Sequence, residues 1–144
     1  MKRHATAVWK GALADGKGTL TTQSGALSSH GYSFKARFED ESGKSGTNPE
    51  ELLAAAHAGC FAMQLSHFLA ENGTPAEELD AKAVVSVEQA EGGFAITSSA
   101  LTLTAKVPGI ESAKFEELAN KAKAGCPVSK ALGAINVSLD AKLA

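Results

Sequence analysis

The alternation of apolar and polar positions predicts strands over the first forty residues of this 144-residue chain. Residues 5–24 read as a hairpin, turned at the run from Asp15 to Gly18, because glycine-rich turns of this kind join antiparallel strands. Residues 31–39 place an apolar side chain at every second position and predict one more strand. Residues 40–48 are polar and small, which indicates a loop.

A long helix is predicted from Pro49 to Glu71. Proline suits the first helical position, so Asn48 would be the N-cap and Glu51 the carboxylate of a capping box. Asn72 and Gly73 would end the helix. The segment is apolar on nearly all sides, which predicts the buried centre of the fold.

The remaining pattern predicts a second strand pair, a second helix and a final strand. Residues 81–89 and 94–107 form the pair, and their apolar parity switches at Ser98 and Ser99, which indicates a bulge. Residues 112–124 form an amphipathic helix with Phe115, Leu118, Ala119 and Ala122 facing inward. Residues 135–143 alternate cleanly and end the chain as a half-buried strand. The order predicts one α+β domain over residues 1–144, with antiparallel sheets packed on a long central helix and a second amphipathic helix.

Composition excludes several classes of protein. The formal charge of -2 provides no basic field for nucleic acid or a membrane surface. We see no apolar run of the roughly 20 residues that a membrane span needs, and no secretory leader, so we expect a cytoplasmic protein. Two cysteines are too few for a disulfide scaffold, which leaves two buried small hydrophobes or a catalytic pair.

The helical periodicity places Cys60 on the polar side of the long helix. At about 100° per residue, one stripe collects the polar positions of the helix. Its members are Glu50, His57, Cys60, Gln64, His67 and Glu71. Cys126 precedes Pro127 at the start of a short helical turn, where unpaired backbone N–H groups favour a thiolate. Either cysteine could still be packing material when it is considered alone.

Three segments resemble the OsmC family of osmotically inducible thiol peroxidases: "RFE" at 37–39, "GTNPEELLAAAHAGCFAM" at 46–63 and "KAKAGCPVS" at 121–129. The family's organic hydroperoxide resistance branch has an active-site arginine near the first hairpin, where this chain has "ALADGKG". The position of Arg37 therefore resembles the OsmC subgroup.

The resemblance implies an intertwined homodimer with active sites at the subunit interface, and no metal or bound cofactor. Cys60 matches the peroxidatic cysteine and Cys126 the resolving cysteine of the family. Arg37 and Glu50 match its activating arginine and the carboxylate partner of that arginine. The implied partners are a hydroperoxide substrate, a thiol reductant and a second copy of the chain.

The chemistry needs these residue types. Burial disfavours a thiolate, and a nearby guanidinium reverses that effect and stabilises the leaving oxygen. Glu50 and Cys60 lie ten residues apart on one helix, about 15 Å along its axis. We therefore expect a composite site in which Arg37 and Glu50 come from the partner subunit.

Other functions remain open at this point. A thiol-dependent hydrolase would use Cys60 with His57, although we favour a pocket-lining role for His57. A metal-binding module of Cys60, Cys126, His57 and His67 lacks standard zinc spacing. A non-catalytic protein that binds an apolar ligand would leave both thiols incidental.

Overall fold

The computed structural model describes residues 1–144, which divide into two compact units, residues 1–49 and 50–144. The first unit is a small antiparallel sheet. Strands β1 (Ala5–Lys10), β2 (Lys17–Thr22) and β3 (His30–Tyr32) lie in the order β1-β2-β3. The predicted first hairpin is confirmed, but its loop lies at residues 11–16 and not at Asp15 to Gly18, because Lys17 and Gly18 already pair with Lys10 and Trp9. Gly18 pairs with both Trp9 and Tyr32, and their rings leave no room for a side chain there.

The predicted strand over residues 31–39 is wrong beyond Tyr32. Ser33 instead caps a short helix, α1 (Phe34–Phe38), since its hydroxyl accepts a hydrogen bond from the backbone N–H of Ala36 at 3.0 Å. A serine cap satisfies a free N–H in the first helical turn and so favours helix over strand. Arg37 therefore lies on a helix, not on a strand.

The second unit contains a three-stranded sheet with helices on it. The elements are helix α2 (Pro49–Glu71), strands β4 (Glu78–Ala90) and β5 (Gly93–Lys106), helices α3 (Ser112–Gly125) and α4 (Pro127–Ala131), and strand β6 (Asn136–Leu143). The sheet order is β4-β5-β6, and its register shifts between Ser86 and Val87. Ser86 pairs with Ser98 and Val87 with Ile96, so Thr97 is the extra residue of the expected bulge.

The expectation of purely antiparallel sheets is wrong for β6. This strand pairs in parallel with β5, from Ser98 opposite Asn136 to Ala105 opposite Leu143. The physical reason is the connection: α3 and α4 carry the chain back to the starting end of β5, as a parallel pair requires.

The core of the second unit lies between one stripe of α2, strand β5 and helix α3. From α2 it takes Phe61, Leu65 and Leu69, which follow one another at intervals of four residues. The predicted inward face of α3 is confirmed, because Phe115, Leu118, Ala119 and Ala122 are all buried. The half-buried final strand is also confirmed.

Helix α2 has the predicted bounds, and its end at Gly73 is confirmed. Gly73 has a φ of 79°, and Thr74 N–H donates to the Leu69 carbonyl at 3.0 Å, which completes a left-handed C-terminal cap. However, α2 is not buried on all sides within one chain: Met63 keeps 76% of its surface exposed.

By length and composition α2 also meets the requirements of a membrane span, so the expectation that no segment does is wrong in that respect. The core helix of a soluble protein meets the same requirements.

Candidate active site

The second unit brings its two cysteine sulfurs together across 66 residues of sequence. The Sγ atoms of Cys60 and Cys126 lie 3.0 Å apart, and both residues are free thiols. Cys60 comes from the middle of α2 and is half-buried, whereas Cys126 is 0% exposed. The Cys60 sulfur is therefore accessible to a reagent from solvent, whereas the protein shields the Cys126 sulfur.

The junction of α3 and α4 positions Cys126. Helix α3 ends at Gly125, and the Cys126 N–H still donates to the Ala122 carbonyl at 2.8 Å. Cys126 then takes an extended ψ of 123° and becomes the N-cap of α4, with Pro127 as the first helical residue. Its sulfur accepts a hydrogen bond from the Ser129 N–H at 3.5 Å.

The two thiols have different electrostatic surroundings. Burial raises the pKa of Cys60, and its hydrogen bond with Cys126 raises it further, against the opposing effect of the Val128 N–H. Burial also acts to raise the pKa of Cys126, but hydrogen bonds from Cys60, Ser129 and Val128 outweigh it and bring that pKa below its ordinary value. Either sulfur can carry the proton between them, and these surroundings favour Cys60 as its carrier and Cys126 as the anion.

His57 does not act on Cys60 in the way the sequence allowed. Its side chain is completely buried rather than part of an open polar stripe. The ring Nδ1 lies 2.7 Å from the Ser99 hydroxyl, and Nε2 lies 2.8 Å from the Ser129 hydroxyl. Both ring nitrogens are therefore engaged, and burial lowers the pKa of His57, which keeps the ring neutral.

Ser99 and Ser129 are the polar residues of this region that the sequence reasoning missed. Ser99 is 0% exposed on β5, next to the bulge, and Ser129 is 8% exposed in the first turn of α4. Ser99 shares its face of the strand with the apolar residues Leu101 and Leu103, and this position could have indicated a buried hydroxyl. A buried hydroxyl needs a hydrogen-bond partner. Ser129 gave only a weak signal, since serine is common in the first turn of a helix.

Arg37 and Glu50 belong to different units of the chain. Arg37 is half-buried on α1 in the first unit, with its guanidinium 4.7 Å from the centroid of the Phe38 ring. Glu50 is 8% exposed in the first turn of α2. The α2 axis separates Glu50 from Cys60 by about 15 Å, so one copy of the helix does not bring them together.

The histidine and cysteine side chains do not form a ligand set for a metal. No three or more of the histidine, cysteine, aspartate and glutamate side chains converge in the geometry that a metal ion needs. The second histidine on α2, His67, lies 3.5 Å from Glu71 near the exposed end of the helix. This arrangement gives the metal-binding alternative no support.

Known proteins resemble this chain in both sequence and fold. The family model described as "OsmC-like protein" matches residues 41–140. "Peroxiredoxin OsmC" of Escherichia coli strain K12 is 48% identical over 135 residues, which cover 94% of this chain and 92% of that protein. "Organic hydroperoxide resistance protein OhrB" of Bacillus subtilis strain 168 is 35% identical over 102 residues, 69% of this chain and 73% of that protein. The crystal structure of OhrB from Bacillus subtilis superposes with a TM-score of 0.70 at 31% identity, covering 96% of this chain and 97% of that one. The chain therefore belongs to the OsmC family.

Proposed function

We propose that this protein is a thiol-dependent peroxidase that reduces hydroperoxides, organic hydroperoxides and hydrogen peroxide alike. The observation that carries the proposal is the 3.0 Å approach of a half-buried sulfur, Cys60, to a fully buried one, Cys126. Membership of a family whose relatives are named peroxiredoxin and organic hydroperoxide resistance protein supports it. Its role is antioxidant defence under stress.

The reaction uses the two sulfurs in turn. The Cys60 thiolate attacks one peroxide oxygen, the O–O bond breaks, and Cys60 becomes a sulfenic acid while the other oxygen leaves as an alkoxide or hydroxide. The Cys126 thiolate then attacks the sulfur of the Cys60 sulfenic acid, so that a sulfur–sulfur bond forms, the sulfur–oxygen bond breaks and hydroxide leaves into the solvent. An external dithiol reduces the disulfide to two thiols and is itself oxidised to a disulfide.

The first step needs a cation, because burial and Cys126 both raise the pKa of Cys60. Arg37 is the proposed cation: its planar guanidinium is always charged and can hydrogen-bond both the thiolate and the departing oxygen. Glu50 is the proposed carboxylate partner, since a buried guanidinium without one is costly. The protein needs no metal and no bound cofactor for this chemistry.

The proposed assembly is an intertwined homodimer in which the partner subunit supplies Arg37 and Glu50 to Cys60. Two observations support it. The separation of about 15 Å along α2 keeps Glu50 away from Cys60 of the same copy. The face of α2 that carries Ala56, Gly59 and Met63 is exposed in a single chain, although it is apolar and small enough for a second helix to pack on it. Residues 1–144 then act as one domain in the cytoplasm, with neither nucleic acid nor a membrane as partner.

A Cys60–His57 hydrolase receives less support. A general base for Cys60 must be free to accept its proton, but both nitrogens of His57 are engaged by Ser99 and Ser129. A non-catalytic protein that binds an apolar ligand would have no functional need for the short distance between the two sulfurs.

Peroxide consumption with a dithiol reductant tests the proposal. The wild-type protein should consume cumene hydroperoxide and hydrogen peroxide catalytically, and Cys60→Ser should reduce the rate to background. Exposed His67→Gln is the matched control and should retain the wild-type rate. Ester hydrolysis that survives Cys126→Ser, with no peroxide consumed by the wild type, would instead establish a hydrolase. No turnover of either substrate would favour the binding protein.

A further inference from the structure

A buried hydrogen-bonded group joins three elements of the second unit beside the two sulfurs. The ring of His57 on α2 meets the Ser99 hydroxyl on β5 at 2.7 Å and the Ser129 hydroxyl on α4 at 2.8 Å. All three residues are buried. Burying an imidazole and two hydroxyls is costly unless each group is paired, and here every buried side-chain nitrogen and oxygen has a partner. Breaking the contact between His57 and Ser129 would therefore be costly.

This contact runs beside the contact between the two sulfurs. His57 precedes Cys60 by three residues on α2, and Ser129 follows Cys126 by three residues at the start of α4. The same two elements thus touch twice, about one helical turn apart. They could pivot about a single contact but not about two, so the hydrogen bond fixes the direction in which α4 starts. Ser129 also donates its backbone N–H to the Cys126 sulfur at 3.5 Å, so one residue contacts both His57 and Cys126.

Ser99 ties this arrangement to the sheet. It lies on β5, the central strand of the order β4-β5-β6, and its hydroxyl engages the other ring nitrogen of His57. A neutral imidazole has one donor and one acceptor nitrogen, so the two serine hydroxyls hold the ring at both nitrogens. The ring cannot turn without losing one of these hydrogen bonds.

We propose that His57 is a positioning residue which, held between Ser99 and Ser129, fixes the start of α4 against α2 and so keeps the Cys126 sulfur within reach of Cys60. We call these three residues, Ser99, His57 and Ser129, the clamp. The sulfurs lie 3.0 Å apart, so they need to move by only about 1 Å to form a disulfide bond. Holding two reacting groups this close raises the effective concentration of one at the other. The clamp therefore stabilises the disulfide relative to the two thiols.

The consequence for the reaction rests on the proposed peroxidase function. When Cys60 carries a sulfenic acid, the clamp keeps its sulfur beside Cys126. A sulfur–sulfur bond then forms, the sulfur–oxygen bond breaks and hydroxide leaves into the solvent. Proximity of the two sulfurs favours this step over further oxidation of Cys60 to a sulfinic acid. The clamp takes no part in the first attack on peroxide, and His57 exchanges no proton with either sulfur.

Thiol–disulfide exchange with dithiothreitol tests the clamp without peroxide. Oxidised dithiothreitol takes two hydrogen atoms from the two thiols of the protein and becomes the reduced dithiol, so the equilibrium constant measures the stability of the protein disulfide. Ser129→Ala should lower this constant by about threefold to tenfold, because a hydrogen bond can bias an equilibrium by no more than its own free energy. His57→Leu should lower it by a similar factor. Exposed Ser138→Ala and His67→Gln are the matched controls and should keep the wild-type constant.

The double variant tests whether the two residues act through one contact. His57→Leu combined with Ser129→Ala should match either single variant within about twofold, because both changes remove the same hydrogen bond. Factors that multiply in the double variant would overturn the clamp, and so would a Ser129→Ala protein with the wild-type constant. A residue that only stabilised the fold would lower the urea midpoint and leave this constant unchanged. Ser129→Ala removes only the hydroxyl oxygen, so it decides the question if His57→Leu does not fold.

The outcomes also separate the clamp from the peroxidase proposal. If the constants change as expected while the wild type consumes no peroxide, the clamp stands and the peroxidase proposal fails. If peroxide is consumed and Ser129→Ala keeps the wild-type constant, the peroxidase proposal stands and the clamp fails. A wild type that forms no bridge between Cys60 and Cys126 in oxidised dithiothreitol would overturn the clamp as well.

Discussion

His57 lies on the same helix as Cys60, and its Nε2 lies 2.8 Å from the hydroxyl of Ser129, whose backbone N–H donates to the sulfur of Cys126 at 3.5 Å. Helix α2 therefore carries the half-buried sulfur and also contacts, through His57, the residue that hydrogen-bonds the buried sulfur. This division matches a two-step reaction, in which the accessible thiol meets the peroxide and the inaccessible thiol closes the disulfide.

Removing the resolving thiol should stop the cycle after its first step. In Cys126→Ser, we expect peroxide to oxidise Cys60 once, because the attack uses only the Cys60 thiolate, and turnover with a dithiol to fall sharply. Mass spectrometry should find one added oxygen on Cys60, and excess peroxide should add a second as sulfinic acid forms. A Cys126→Ser protein that turns over at the wild-type rate would contradict the role of Cys126.

Arg37 should matter for its shape as well as for its charge. We expect Arg37→Ala to reduce the rate constant for Cys60 with peroxide by about 100-fold, the cost typical of losing a donor to a developing oxyanion. Arg37→Lys should fall between Arg37→Ala and the wild type, because lysine retains the charge without the planar fork. Stopped-flow oxidation of Cys60 provides the rate, and equal rates for all three proteins would exclude the assignment.

Mixed dimers test whether Arg37 acts across the interface. Cys60→Ser homodimers are expected to be inactive, and Arg37→Ala homodimers about 100-fold slower than the wild type. Refolding them together should restore activity, because one of the two sites in a heterodimer then combines an intact Cys60 with the partner's Arg37. No recovery in mixtures shown to contain heterodimer would mean that each site is built within one chain.

Met63 should matter for association more than for folding of the single chain. Its side chain is 76% exposed on the face of α2 proposed to meet the partner. We expect Met63→Glu to favour monomers in sedimentation velocity experiments, since burying an unpaired carboxylate in the interface is costly. Peroxidase activity should fall with dimer content. Leu13→Glu, at a position 68% exposed in the loop between β1 and β2, is the control, and an unchanged dimer for Met63→Glu would contradict this interface.

Acid should destabilise the fold partly through His57. Burial lowers the pKa of His57 from its ordinary value of 6.5, so below pH 6.5 the unfolded chain binds a proton that the folded chain does not. The stability that the neutral His57 ring contributes is therefore fully present above pH 6.5. As pH falls from there towards the lowered pKa, the free energy of unfolding decreases by at most about 1.4 kcal/mol per pH unit. Urea unfolding at fixed protein concentration should show a smaller acid loss for His57→Gln than for the wild type. Exposed His67→Gln should match the wild type; a wild-type loss equal to that of His57→Gln would contradict the effect.

Periodicity predicted the elements whose burial is one-sided. The inward face of α3 and the alternation of β6 follow from spacing, because each element buries one regular set of positions. The bounds of α2 follow instead from Pro49 at its start and from Asn72 and Gly73 at its end. The alternation over residues 31–39 predicted a strand where the structure has a short helix. The hydroxyl of Ser33 caps that helix, and a pattern of period two does not reveal a helix cap. The parallel direction of β6 depends on the path of α3 and α4, which no strand pattern contains.

The candidate site was only partly readable from the sequence. Cys60 and Cys126 stood out by helical position and by the match to family motifs, and the structure places their sulfurs in contact. Ser99 and Ser129 were invisible as partners of His57, because they lie 42 and 72 residues away from it and meet it only in the folded chain. Long-range hydrogen bonds between common polar residues leave no local pattern.

Treatment of the reduced protein with one equivalent of cumene hydroperoxide, followed by peptide mapping under non-reducing conditions, tests the central claim most directly. We expect a loss of two hydrogen atoms per chain and a single bridge that joins Cys60 to Cys126 within one subunit. A bridge between subunits, or a stable oxygen adduct on Cys60 with Cys126 still free, would contradict it.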